Sequence, residues 1–190
     1  LPPPRPLRAD ARRNREALLA AARETFLVGD DAHVEEIARR AGVAVGTLYR
    51  HFATREALVA EVYRQEVAQL CEAPARLLTQ HHPDEALRTF LLLLVEHAAV
   101  GRGLGEVLES IMATDSPIFD DTRNDMARAL DELLAAGVAA GLIRSGVSGR
   151  TVLRALGGIC GMRAQGWKDD AVRIATILYD GLRYGAANHT

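Results

Sequence analysis

Apolar residues recur along this chain at intervals of three and four, and the period holds from near the start almost to the end. Between Ala9 and Val28 the pattern places Ala11, Leu18, Leu19, Ala22, Phe26 and Leu27 on one face and arginines on the other, with Gly29 as the stop. A short helix over Val34 to Arg40 presents Val34, Ile37, Ala38 and Ala41 and ends at Gly42; a second short helix runs from Val45 to His51. Thr54 then caps a long helix from Arg55, whose apolar side carries Leu58, Val62, Val67, Leu70, Leu77 and Leu78, with a kink expected at Pro74. The next helix, Pro83 to Val100, has an FLLLLV centre that is apolar all round, as in a helix surrounded by others. A short helix over Leu104 to Ala113 follows, and Asp115, Ser116 and Pro117 start another that Met126, Leu130, Leu133, Leu134 and Val138 carry to Gly141. The last two helices begin after Ser148, with Val152, Leu153, Leu156 and Ile159, and at Asp169, with Val172, Ala175, Ile177, Leu178 and Leu182. No segment reads as a strand, so the expected fold is all-α with about nine helices.

Composition adds limits to this picture. With 190 residues, 48% hydrophobic and 25% charged, the chain is of globular type and long enough for one or two small domains. Unbroken apolar stretches such as Phe90 to Val95 are far shorter than the roughly 20 residues a membrane span needs, and no secretory signal is visible, so a cytoplasmic location is expected. The opening LPPPRP reads as extended and mobile. Cys71 and Cys160 form no CxxC pair, and both read as small buried hydrophobes rather than as a disulfide or metal site. Charge is uneven: residues 1–55 carry ten arginines against seven acids, whereas residues 56–190 carry thirteen bases against eighteen acids. A basic head on an acidic body is compatible with a polyanionic partner at the head.

Residues 34–52, VEEIARRAGVAVGTLYRHF, give that head a motif. Small Ala38 permits close helix approach, Gly42 provides a positive φ for a tight turn, and Ile37, Val43 and Leu48 form a little core that fixes the interhelical angle. This is the layout of a helix-turn-helix, in which the second helix protrudes into a major groove of double-stranded DNA. Thr47, Tyr49, Arg50 and His51 are expected on its exposed side.

The stretch IARRAGVAVGTLYRHFATREALVAEVY, residues 37–63, resembles the TetR family of bacterial transcriptional regulators. AAGLIRSGVS, residues 139–148, is similar to a connection often found before the last two helices of that family. The resemblance implies a DNA-binding head over residues 1–54 and a helical ligand-binding and dimerisation body over residues 55–190. It implies that Thr47 and Tyr49 meet phosphates and base edges, that His51 meets a phosphate, and that Val45, Gly46 and Arg50 face bases, with Arg50 able to pair with guanine. Arg55, where the family usually has lysine, would hold a phosphate at a helix N-terminus, and Arg13 would add a backbone contact ahead of the first helix. Two positions depart from the family: His33 stands where threonine is common and Ala44 where serine is, so both motif helices are expected to lack side-chain caps.

For the body the resemblance implies a small-molecule effector whose binding shifts the spacing of two recognition helices in a homodimer and so releases a palindromic operator. Tyr63, Val67, Leu70, Phe90, Leu94, His97, Leu108, Met112, Met126 and Trp167 are the candidate lining, a mostly apolar set that points to a hydrophobic effector. Gly157, Gly158 and Gly161 form a small-residue face suited to close approach across a two-fold axis. The expected role is thus a ligand-responsive regulator, by family habit a repressor.

Other classes find less support. GRGLG, residues 101–105, lacks the preceding strand of a dinucleotide site, and no HExxH, P-loop or nucleophile elbow occurs, so neither catalysis nor a cofactor is expected. His81 and His82 lie beside Pro83 without further ligands, and no metal site is expected. A helical adaptor or small-molecule-binding protein whose motif does not act on DNA is the alternative; its partner binding would not fall with salt.

Overall fold

A computed structural model describes residues 5–28, 33–104, 108, 117–160 and 165–184, and among these every regular element is helical. The helices are α1 (Arg5–Val28), α2 (Val34–Arg40), α3 (Val45–His51), α4 (Arg55–Cys71), α5 (Ala73–Gln80), α6 (Pro83–Gly103), α7 (Pro117–Ala139), α8 (Gly149–Cys160) and α9 (Trp167–Arg183).

The chain forms two compact units, Leu1–Gln65 with Val100–Asp115 and Glu66–Ala99 with Ser116–Thr190, so the division falls within both α4 and α6. In the first, α2 packs on α1 and α3, around Leu18, Phe26, Ile37, Leu48 and Leu58, each almost fully buried. In the second, α7 packs on α5 and α8, and α8 on α9. Its core holds Phe90, Leu91, Leu130, Leu133 and Ile143, side chains that each contribute about 1.5–3 kcal/mol by leaving water.

Several elements differ from the sequence pattern for identifiable reasons. Helix α1 begins at Arg5, so Pro6 lies in the first turn, where a missing N–H leaves no hydrogen bond unmade, and the expected extended arm is helical from that point. Pro74 does not kink a long helix. The helix stops at Cys71, and Pro74 lies in the first turn of a new one, α5. Helix α6 continues to Gly103, and its FLLLLV centre is not enclosed on every side, for Leu92 is exposed and Leu93 half-buried. Cys71 and Cys160 are half-buried rather than buried. Burial and the carboxylates of Asp125 and Glu132 push the Cys71 thiol up to about 11, Arg128 opposing them, so it stays protonated at neutral pH. Of the short helix expected over Leu104 to Ala113, only Leu104 and Leu108 are described, both buried; the rest lies outside the described residues.

The α7–α8 connection is fastened at several points. The Arg144 N–H donates to the Leu182 carbonyl at 2.8 Å, and the Gly149 N–H donates to Asp131 Oδ1 at 2.5 Å. Ser148 Oγ accepts from the Thr151 N–H at 3.3 Å, the cap expected of that serine. A side chain at 149 would collide with the Ala127 carbonyl and Leu130, so glycine allows α8 to start directly against α7.

Candidate nucleic-acid interface

The α2–α3 junction follows from its sequence residue by residue. Gly42 has φ of 70°, its N–H donates to the Arg39 carbonyl at 3.2 Å, and the Val43 N–H donates to the Ala38 carbonyl at 3.0 Å. This paired closure ends α2 in the left-handed conformation only glycine adopts cheaply, and turns the chain at once into α3. Ile37, Ala38 and Leu48 are fully buried and Val43 is half-buried, forming the small core the motif predicts. The two helix starts are weaker. His33 and Ala44 supply no side-chain cap, and only their carbonyls accept, from Glu36 and Ile37 and from Thr47 and Leu48. Thr54, by contrast, caps α4 by accepting from the Ala57 N–H at 3.2 Å.

On α3, Tyr49 is 47% exposed, Arg50 and Gly46 are exposed, and Val45, Thr47 and His51 are half-buried. One seven-residue helix therefore carries an aromatic hydroxyl, a guanidinium and an imidazole toward solvent over a buried Leu48. Arg55 is half-buried at the start of α4. Arg13 does not precede the first helix as expected: it lies inside α1, exposed and paired with Asp10, while Arg12 pairs with Glu16 at 3.5 Å. On the outer side of α2, Glu36 receives Arg39 and Arg40 at 2.7 and 2.8 Å. Those two bonds hold its carboxyl at about 2, well below the usual carboxylate range.

The candidate effector residues fall in both compact units. Tyr63 and Leu108 are buried in the first. Val67, Leu70, Phe90, Leu94 and Met126 are buried in the second, where His97 and Trp167 are half-buried. Burial pushes His97 down to about 4, with the Glu66 carboxylate opposing, so the imidazole is neutral at pH 7. Glu66 is not among the candidate site residues named from the sequence, yet it is buried on α4. Its signal is an acid at the core spacing of Val59, Val62, Glu66 and Leu70. Asp84, also buried, accepts from the Tyr179 hydroxyl at 3.2 Å and lies 3.1 Å from His82 Nδ1. Burial opposes its ionisation, but these bonds and nearby Arg183 hold its pKa below normal. Gly157 and Gly158 are exposed on α8, whereas Gly161 and Met112 lie outside the described residues. On α9 the expected apolar stripe divides: Ala175 and Leu182 are buried, Leu178 is half-buried, and Val172 and Ile177 are exposed, Ile177 at 66%. Among the described residues no three His, Cys, Asp or Glu side chains gather as a metal site, and no helix is long and apolar enough to cross a membrane.

Comparison with known proteins agrees with this architecture. The N-terminal model of the tetR family of bacterial regulatory proteins matches residues 18–62, and the C-terminal domain model of SbtR-like transcriptional regulators matches residues 82–184. The TetR transcriptional regulator SCO0520 of Streptomyces coelicolor is 40% identical over 89% of this chain and 98% of its own, with a TM-score of 0.75. A TetR transcription regulatory protein from Mycobacterium vanbaalenii is 33% identical over 94% of this chain and 99% of its own, with a TM-score of 0.69. FadR of Bacillus subtilis, whose structure is a complex with stearoyl-CoA, shares the fold at 19% identity over 90% of this chain and 98% of its own, with a TM-score of 0.57. A helix-turn-helix built from residues 34–51, the helices that follow it in the chain and these matches along the chain establish that the protein belongs to the TetR family of DNA-binding transcriptional regulators.

Proposed function

We propose that the protein is a homodimeric repressor that holds a palindromic operator through α3 and releases it when a small hydrophobic molecule binds the body. The head is residues 1–54 and the body residues 55–190. The observation that carries the reading is α3 itself, which turns Tyr49 and Arg50 outward while Leu48 anchors it. Tyr49 and Thr47 serve phosphates and base edges, His51, Arg55 and Arg13 serve phosphates, and Val45, Gly46 and Arg50 face bases. Two such helices must lie about 34 Å apart to meet successive major grooves, so an effector that favours another spacing weakens binding by its differential affinity.

In the body, apolar Val67, Leu70, Phe90, Leu94 and Met126 surround the effector, with Trp167 as a further lining residue and neutral His97 orienting a polar group. A long acyl chain suits this set, and stearoyl-CoA is what the FadR of similar fold holds. Dimerisation uses α8 and α9 through Gly157, Gly158 and Gly161 and through the exposed Val172 and Ile177.

The test is selection of genomic DNA fragments by the purified protein beside Tyr49→Ala, at low and at high salt. Enrichment of a palindrome that the variant loses is the expected result. Absence of enrichment for either protein at low salt would show that α3 does not read DNA and would return the body to the adaptor class.

A further inference from the structure

One arginine joins three elements of the head. Arg15 lies on α1, and its Nη2 donates to Glu61 Oε1 on α4 at 2.5 Å. The same guanidinium carbon lies 5.4 Å from the centroid of the Phe52 ring. Phe52 follows α3 directly, is buried, and closes its last turn by donating its N–H to the Leu48 carbonyl at 2.8 Å. The second oxygen of Glu61 receives Arg64, so both of its oxygens are engaged, and its side chain is 17% exposed. All these residues belong to one compact unit.

We propose that Arg15 and Glu61 form a positioning clasp that fixes the C-terminal end of α3 for DNA reading, and that Arg15 is a positioning residue rather than a phosphate contact. The inference rests on reading α3 as the helix that meets DNA. A helix of seven residues does not hold itself in place by its own hydrogen bonds, so its orientation is set by what grips its ends. The turn at Gly42 grips one end. At the other, the guanidinium lies against the Phe52 ring while the partly buried carboxylate of Glu61 keeps the guanidinium from leaving. Only arginine serves both contacts at once, since a planar cation can stack on a ring and still donate in its own plane. Because Glu61 sits on α4, a shift of that helix reaches Phe52 through a single charge-assisted bond.

Charge alone makes the opposite prediction for Glu61. Removing an anion from a DNA-binding head strengthens attraction to phosphates, whereas opening the clasp weakens binding. The test uses full-length wild type, Arg15→Gln, Glu61→Gln and the double variant, each shown by circular dichroism to be folded. Affinity is read by fluorescence anisotropy on a DNA fragment that wild type retains in the selection above, at about 50 and about 200 mM salt. Each single variant is expected to bind about tenfold more weakly, the double variant no worse than the weaker single, and the slope of log affinity against log salt to stay as in wild type. Glu61→Gln binding as tightly as wild type or tighter overturns the clasp, as does a slope lowered by about one in Arg15→Gln, the mark of a lost phosphate contact. If Arg15→Gln does not fold, Arg15→Lys decides, since it keeps the charge and loses the planar contact: an intermediate loss supports the clasp and wild-type binding overturns it. A wild type that retains no fragment overturns the DNA reading and the clasp together, whereas a binding wild type with an unaffected Glu61→Gln overturns the clasp alone.

Discussion

Helices α3 and α9 both leave large side chains in solvent, but only α9 adds branched aliphatics to its exposed set. On α3 they are Tyr49 and Arg50, with a hydroxyl and a guanidinium able to donate to phosphate oxygens and base edges. On α9 charged Lys168, Arg173 and Arg183 are exposed as well, but so are Val172 and Ile177, branched aliphatics that donate nothing and leave water only against another apolar surface. The inward faces also differ: α3 is anchored by Leu48 alone among its fully buried residues, whereas α9 buries Ala171, Ala175, Tyr179 and Leu182 along a regular stripe. Exposure by itself therefore says little about a partner. The kind of group exposed, and how firmly the helix beneath is held, separates a surface suited to DNA from one suited to an apolar partner.

That contrast can be broken most forcibly at Ile177. Ile177→Asp places a charge where a partner helix would pack, and a shift of the dimer to monomer of at least about a hundredfold is expected, read by sedimentation equilibrium, with operator binding falling alongside. A variant that stays dimeric would remove α9 from the interface. The interior of the body supplies the next effect. The unfolded chain protonates His97 near pH 6.5 but the folded chain only near 4, so stability falls as pH drops through that window and is unaffected above it. The full loss is roughly 3 kcal/mol, and urea midpoints at pH 7 and pH 5 should converge in His97→Gln. Arg50→Ala is expected to cost about 1–3 kcal/mol of operator affinity and to relax preference at one base pair, measured by binding to operators varied singly. An equal loss on every sequence would make Arg50 a phosphate contact. Smallest are His33→Thr and Ala44→Ser, each expected to add about 1 kcal/mol by capping α2 or α3, seen as a rise of a few degrees in melting temperature.

The α2–α3 motif was legible because nearly every position in it is constrained locally. Gly42 must take a positive φ, Ile37 and Leu48 must meet, and the absence of hydroxyls at 33 and 44 translates directly into absent caps. Other features needed information that spacing does not contain. A proline can bend a helix or begin one, and only the stop at Cys71 shows that Pro74 begins one. Aliphatic periodicity on the last helix does not distinguish this chain's own core from a face turned outward, which is why Ile177 reads as core in sequence and is exposed in structure. Arg15 and Glu61 are 46 positions apart, and an arginine among many on α1 carries no local sign of a partner on α4. Glu66 was legible in principle, as an acid at a core position, but the apolar residues around it drew the pattern instead.

The connection between α7 and α8 looks like a loop and is not held like one. Its Arg144 amide is tied to the Leu182 carbonyl in the last turn of α9 and its Gly149 amide to a carboxylate on α7, so the connection is fastened to two different helices. In the language of hydrogen exchange, each amide is expected to be slowed until its own partner leaves, Arg144 until the last turn of α9 opens and Gly149 until Asp131 of α7 swings away. Residues without regular structure would then serve as reporters on the openings of α7 and α9.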